Sequence, residues 1–291
     1  MRSPLDFLRT VARLVRADVT KLSRYWVVLA GFVAVVVLAV SGTMVFHRIE
    51  QAANVTSNSG YDFALAVMDR LVDVSLPIVY VLVCILFAID VSNSTVKYIL
   101  TRPVTRMELL VSKYVTAFGM VTLNVALLWT VALSGGAAFY GLGDLTENGY
   151  VIFSGGYVFG QFALGTFFLL IALGSVAAMG VAVSTFSSTM GGAIIIGLIF
   201  FFMLELLAVI PTNLGLTLSL GGEAFVLPFS SFSLPNQPLI PLGVLGDLTT
   251  GIAIESWWIP PIQRMLAVCG AYLVLFLGVS AFGIRKRDFT L

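Results

Sequence analysis

The chain has 291 residues, of which 59% are hydrophobic and 11% charged, with a net charge of +1. Soluble domains carry roughly 25% charged residues, so this chain cannot cover itself with polar surface in water, and its natural solvent is lipid. The near-zero charge gives no argument for a nucleic-acid partner and none is expected; the single histidine, His47, excludes sites that need two, such as HExxH proteases and His-rich metal cages.

Residues 1–25 form a basic leader. Leu5, Leu8, Ala12, Val15 and Val19 fall on one helical stripe, with Arg9, Arg13 and Arg16 around the other face. The pattern predicts an amphipathic helix at the membrane interface, so the lipid bilayer is itself a partner. A Lys21, Arg24, Tyr25 and Trp26 edge then anchors the first span.

A helix needs about 20 apolar residues to cross the hydrocarbon core. Residues 26–46 supply the first. His47, just beyond them, reads as an interface residue. A polar loop is expected up to Asp73, and then a short second span over residues 74–89, between Asp73 and Asp90. The third is expected over residues 114–136, ending near Gly135 and Gly136. Residues 148–204 hold no charge and are long enough for two helices. The hydroxyls and glycines of 184–192 suit the break, which gives spans over 157–183 and 193–210, the latter stopped by Pro211. The last span is expected over 265–284. Gly165, Gly174, Ala178 and Gly180 suit close helix packing, and Asn124 and Gln161 suit bonds to neighbouring helices. Cys84 and Cys269 lie in apolar runs and read as buried thiols.

The expected fold class is therefore all-α. It is a polytopic membrane protein with six transmembrane helices, an N-terminal interface helix and one short cytosolic helix. Between spans two and three, Ser92, Asn93 or Ser94 caps a helix over residues 94–100, ending at Leu100. Pro103 stops it and holds Arg102 extended. Thr105 to Glu108 then reads as a capping box that opens the third span. Within the bundle, Glu205 is the one acid well inside an apolar run, which makes it a candidate for the transport pathway. Residues 211–264 recur in proline and cannot be a span; short interface-lying pieces are expected there, with Trp257 and Trp258 as interface anchors.

Lysine and arginine cross membranes reluctantly. They crowd the leader, the loop carrying Lys97, Arg102, Arg106 and Lys113, and the tail of Arg285, Lys286 and Arg287. Only Arg48, Arg70 and Arg264 are left for the opposite side. An even number of spans agrees, so both termini are expected in the cytosol.

The segment from Asp90 to Lys113 resembles ABC-2 type transporter permeases. Those have an acid at the end of the second span, then Gly-Thr, Leu-Leu, a Pro-Val-Ser-Arg-like corner, Glu, Leu-Leu and Gly-Lys. Here the acid is Asp90, Ser94 and Thr95 stand for Gly-Thr, and Ile99 and Leu100 stand for Leu-Leu. Pro103, Val104, Thr105 and Arg106 make the corner, followed by Glu108, Leu109, Leu110, Ser112 and Lys113. Ser94 and Ser112 replace glycines, and Asp90 replaces the more usual glutamate.

The resemblance implies that residues 94–100 are a coupling helix that receives motion from an ATPase. Arg106 and Glu108 would stabilise the corner or the ATPase contact, and Lys113 would sit at the membrane edge. The chain has no Gly-x-x-x-x-Gly-Lys-Ser/Thr loop, so it cannot bind ATP by that mechanism, and it is expected to be a transporter subunit rather than an enzyme, with no cofactor of its own. ATP and Mg would be held by a partner ATPase in two copies. A second permease copy, identical or related, would complete the pathway at the cell membrane. The implied function is export. Two alternatives are a machine acting on an extracytosolic partner protein and an ion-coupled secondary transporter. The latter class shows internal repeats and midplane charges, and this sequence shows no convincing repeat and almost no midplane charge.

Overall fold

A computed structural model describes residues 4–53, 57, 59–92, 104–147, 150–213, 217–219, 226–249 and 251–286. Eight α-helices lie among them: α1 (Pro4–Leu22), α2 (Trp26–Ala53), α3 (Gly60–Ser92), α4 (Arg106–Phe139), α5 (Gly155–Phe186), α6 (Met190–Asn213), α7 (Leu239–Thr249) and α8 (Pro260–Lys286). Six of them, α2 to α6 and α8, are long and apolar enough to cross a membrane. The protein is an all-α polytopic membrane protein. Two small antiparallel ribbons join the helices: β1 (Leu145–Glu147) with β2 (Tyr150–Phe153), and β3 (Thr217–Ser219) with β4 (Val226–Pro228).

The bundle is built around α3, which packs on α2, α4, α5, α6 and α7. Of its most apolar window 72% is buried, against 22% for α2 and α8 and 17% for α6. Those three helices therefore turn broad apolar faces outward, for example Val33 and Val37 of α2, Ile199 and Leu206 of α6, and Val274 and Phe282 of α8. In lipid, burial of apolar surface does not itself draw helices together; close packing does. On α5, Gly180 admits Val83 of α3, since a Cβ there would stand 2.8 Å from it.

The second span is longer than expected. The polar loop predicted up to Asp73 is α2 continuing to Ala53 and α3 beginning at Gly60. The acids misled the pattern because they lie on one stripe. Asp62, Asp69 and Asp73 share the less buried side of α3, while Phe63, Ala64, Val67, Met68 and Leu71 between them are buried. The start of α3 also lies backbone to backbone on the end of α4. A Cβ on Gly60 would stand 2.6 Å from the carbonyl oxygen of Gly136, and the Gly60 amide donates to Gly141 O at 2.9 Å. Gly141 has φ +78°, the left-handed region that glycine enters without strain. Helix α4 thus continues past the pair Gly135 and Gly136, where an early end was expected.

At the same end, His47 stacks on Phe139 with centroids 4.0 Å apart and has Nδ1 3.2 Å from the Tyr140 hydroxyl. Tyr140 donates to Glu50 at 2.7 Å. The single histidine ties α2 to the end of α4.

The break between α5 and α6 falls at residues 187–189, inside the predicted stretch. Helix α6 runs two residues past Pro211 rather than stopping there. A proline in a last turn removes one hydrogen bond where few follow, so it is tolerated. Between the end of α6 and the start of α8 the described elements are β3, β4, a short 3-10 turn (Phe229–Phe232) and α7. At 11 residues α7 is too short to span. It buries Leu242, Leu245 and Leu248 against the bundle. Trp257 does not stand free as an anchor: its Nε1 donates to Gln161 at 2.7 Å and its ring stacks on Phe168. Trp258 is exposed. Pro260 and Pro261 open α8, where their missing amides leave nothing unpaired.

Candidate functional site

The loop that carries the sequence motif joins α3 to α4. Ser94, Thr95, Leu100, Arg102 and Pro103, and with them the helix predicted over 94–100, lie outside the described residues. Both shoulders of the loop are described. Each is tied to other helices through the remaining motif residues.

Asp90, on the last turn of α3, is buried. Its Oδ1 pairs with Lys21 of α1 and its Oδ2 with Lys113 of α4. Lys113 donates further to Asp18 Oδ1 at 2.7 Å. Only 1% of Lys113 is exposed. Removing an ion from water costs several kcal/mol even after relaxation, and only near, well-aligned counter-charges repay it. Two carboxylates on one ammonium meet that need. Lys21 then balances the second acid, and the four groups sum to zero. Burial pushes the Asp18 carboxyl above its ordinary range, with Lys113 opposing the shift.

Asp18 was not legible as a site residue. It is an acid in a basic helix, and it lies on a third stripe of α1. Thr10, Val11, Asp18 and Leu22 are buried, and α1 packs on α4. Leu5, Leu8 and Val19 stay exposed, which leaves them for the membrane. The signal present in the sequence was the i, i+4, i+7, i+11 spacing of Val11, Val15, Asp18 and Leu22.

The end of α3 has a further restraint. Ser184 Oγ, from the end of α5, accepts from the amides of Phe87 at 2.9 Å and Ala88 at 3.0 Å. The loop's second shoulder is the start of α4. Here the predicted capping box is present: the Glu108 amide donates to Thr105 Oγ1 at 3.2 Å, and the Thr105 amide donates to Glu108 Oε2 at 2.6 Å. Arg106 reaches across to the last turn of α8, where Nη1 donates to Ile284 O at 3.0 Å and Arg285 O at 2.8 Å. A cation on the last carbonyls of a helix satisfies orphan acceptors and opposes the helix dipole.

Residues 93–103 are thus bracketed by two anchors. One links α1, α3 and α4 through buried charge, and the other links α4 to α8. Glu205 does not join either. It is half-buried on α6 and has no polar partner among the described residues.

Residues 14–204 match the family model described as ABC-2 family transporter protein. The chain belongs to the ABC-2 transporter family. It is a membrane permease component of an ABC transporter and is not itself catalytic. The match runs from the middle of α1 into α6, so it takes in Asp18, Lys21, Asp90, Arg106, Glu108 and Lys113 and stops one residue before Glu205. A search of curated proteins returned no match.

Proposed function

We propose that this permease is the membrane half of an ATP-driven exporter in the cell membrane, moved by a separate ATPase that docks on the loop between α3 and α4. The observation that carries this is the pair of anchors at the loop's two ends. A push on residues 93–103 meets α3 and α4 directly. It reaches α1 through Asp90, Lys21, Lys113 and Asp18, and α8 through Arg106. A free solvated loop would have no need of buried charge at one end and a cross-helix cap at the other.

The pathway itself is assigned to the interface between two permease copies. Within one bundle, the enclosed cavity between α3, α4 and α5, lined by Ser75, Val79, Val121, Asn124 and Val176, is no larger than a water molecule. Outward apolar faces on α2, α6 and α8 leave room for a second copy as well as lipid. Glu205, on one of those faces, is the candidate pathway group. In this reading ATP and Mg belong to the partner ATPase, two copies of it per transporter, and both termini of the permease lie in the cytosol with it.

Co-purification in mild detergent tests the coupling. A separate ATPase subunit is expected to elute with the permease. Lys97→Glu combined with Arg102→Glu, both within the loop and in neither anchor, is expected to lower the recovered ATPase at least tenfold while the permease elutes unchanged. Full recovery with the double variant would remove the loop as the docking element.

A further inference from the structure

Beside the buried charges, α1 carries a second basic feature that coupling leaves unused. An open groove lies between α1 and the turn into α2, lined by Arg13, Arg16, Thr20, Lys21, Arg24 and Tyr25. Lys21 is already held by Asp90. Arg13, Arg16 and Arg24 have no carboxylate partner among the described residues, and all three are exposed. Arg13 makes only weak local bonds of 3.4 Å to Arg9 O and Thr10 Oγ1. Three guanidinium groups therefore converge on one groove with their charge unspent.

We infer that this groove binds the phosphate of an anionic phospholipid. A guanidinium presents a planar fork that matches phosphate oxygens in pairs. The groove's surroundings choose a lipid over a soluble phosphate. Leu5, Leu8 and Val19 are exposed on the same helix, and Trp26, exposed at the head of α2, follows the groove directly. Apolar side chains of an interface helix sink to the boundary between headgroups and acyl chains, which holds the arginines at the depth of the phosphates. The acyl chains of a bound lipid then lie along surface that is already apolar. The groove shares Lys21 with the buried cluster, so the lipid headgroup sits against the outer wall of the Asp90 anchor.

Each basic side chain near an anionic surface strengthens binding roughly fivefold, so three set a ceiling of roughly a hundredfold. The test is native mass spectrometry of the purified protein in nonionic detergent, titrated with phosphatidylglycerol or phosphatidylcholine. Wild-type protein is expected to retain phosphatidylglycerol at least tenfold more than phosphatidylcholine. The Arg13→Gln, Arg16→Gln, Arg24→Gln triple variant is expected to lose that preference, and each single variant to lose about fivefold, which keeps the test open if the triple variant does not fold. Arg48→Gln, at the far end of α2, is expected to change nothing. Equal retention of the two lipids, or undiminished phosphatidylglycerol on the variants, overturns the site. Displacement of the lipid by inorganic phosphate alone overturns the lipid as occupant and leaves a soluble phosphate in its place.

Discussion

Lys113 sits where a lysine can exist only in company. It is nearly wholly buried, and the two carboxylates that hold it come from different helices, Asp18 of α1 and Asp90 of α3. Removing one partner of a buried ion pair leaves uncompensated charge and costs about 3–5 kcal/mol, whereas a complete pair is often no more stabilising than apolar residues of the same volume. Lys113→Met is therefore expected to destabilise the protein by about 3–5 kcal/mol, because Asp18 loses the cation it is bonded to and Asp90 keeps only Lys21. Lys113→Met with Asp18→Leu should recover much of that loss, since Lys21 still answers Asp90. Thermal unfolding in detergent checks both. Single and double variants of equal stability would show that Asp18 contributes nothing to the cluster. The sequence motif had already singled out Asp90 and Lys113, but as separate landmarks of one loop. Their joint partner was hidden because α1 presents three faces, and a two-faced amphipathic pattern assigns Asp18 to neither.

At the level of elements, the start of α4 was readable residue by residue. A capping box is a local device: Thr105 and Glu108 satisfy each other's backbone amides within one turn, so sequence spacing suffices to find it. The start of α3 was not readable, because what makes residues 60–73 helical is tertiary. Their apolar side is buried against neighbouring helices, and Gly60 lies against Gly136 with no room for a side chain between the backbones. That contact makes a sharp prediction. Gly136→Ala places a methyl group against backbone, which cannot yield as a flexible side chain does, so α3 and α4 must separate at that end. The expected outcome is a fall in the unfolding temperature well beyond that of Gly119→Ala on the same helix, where a Cβ meets open space and the added methyl favours the helix. Equal effects of the two substitutions would mean that the α3–α4 contact is not close. Gly135 and Gly136 were noticed in the sequence as an ending for the helix. They are instead a point of approach, and composition alone does not separate the two uses.

For the whole molecule, hydropathy delivered the six spans because a membrane imposes a length that no soluble fold requires. Sidedness rests on a different physical effect, the reluctance of lysine and arginine to cross, and the proposed coupling needs that effect to put the basic end of the bundle on the side of the ATPase. The geometry adds a constraint that charge counting lacks. Arg106 touches the last turn of α8, and Lys113 and Asp90 touch α1, so the leader, the α3–α4 loop and the end of α8 share one end of the bundle. They must all be cytosolic or none of them is. Site-specific thiol labelling in sealed vesicles decides between these. Both native cysteines, Cys84 and Cys269, are buried and unpaired, so the background should be low without removing them. Ser94→Cys is expected to react with a membrane-impermeant maleimide only in inside-out vesicles. Ser256→Cys, on the exposed segment between α7 and α8, is expected to react only in right-side-out ones. The reversed pattern would place the loop on the outer surface, out of reach of any ATP-hydrolysing subunit. Coupling would then fail as a mechanism even though the family and the fold would stand.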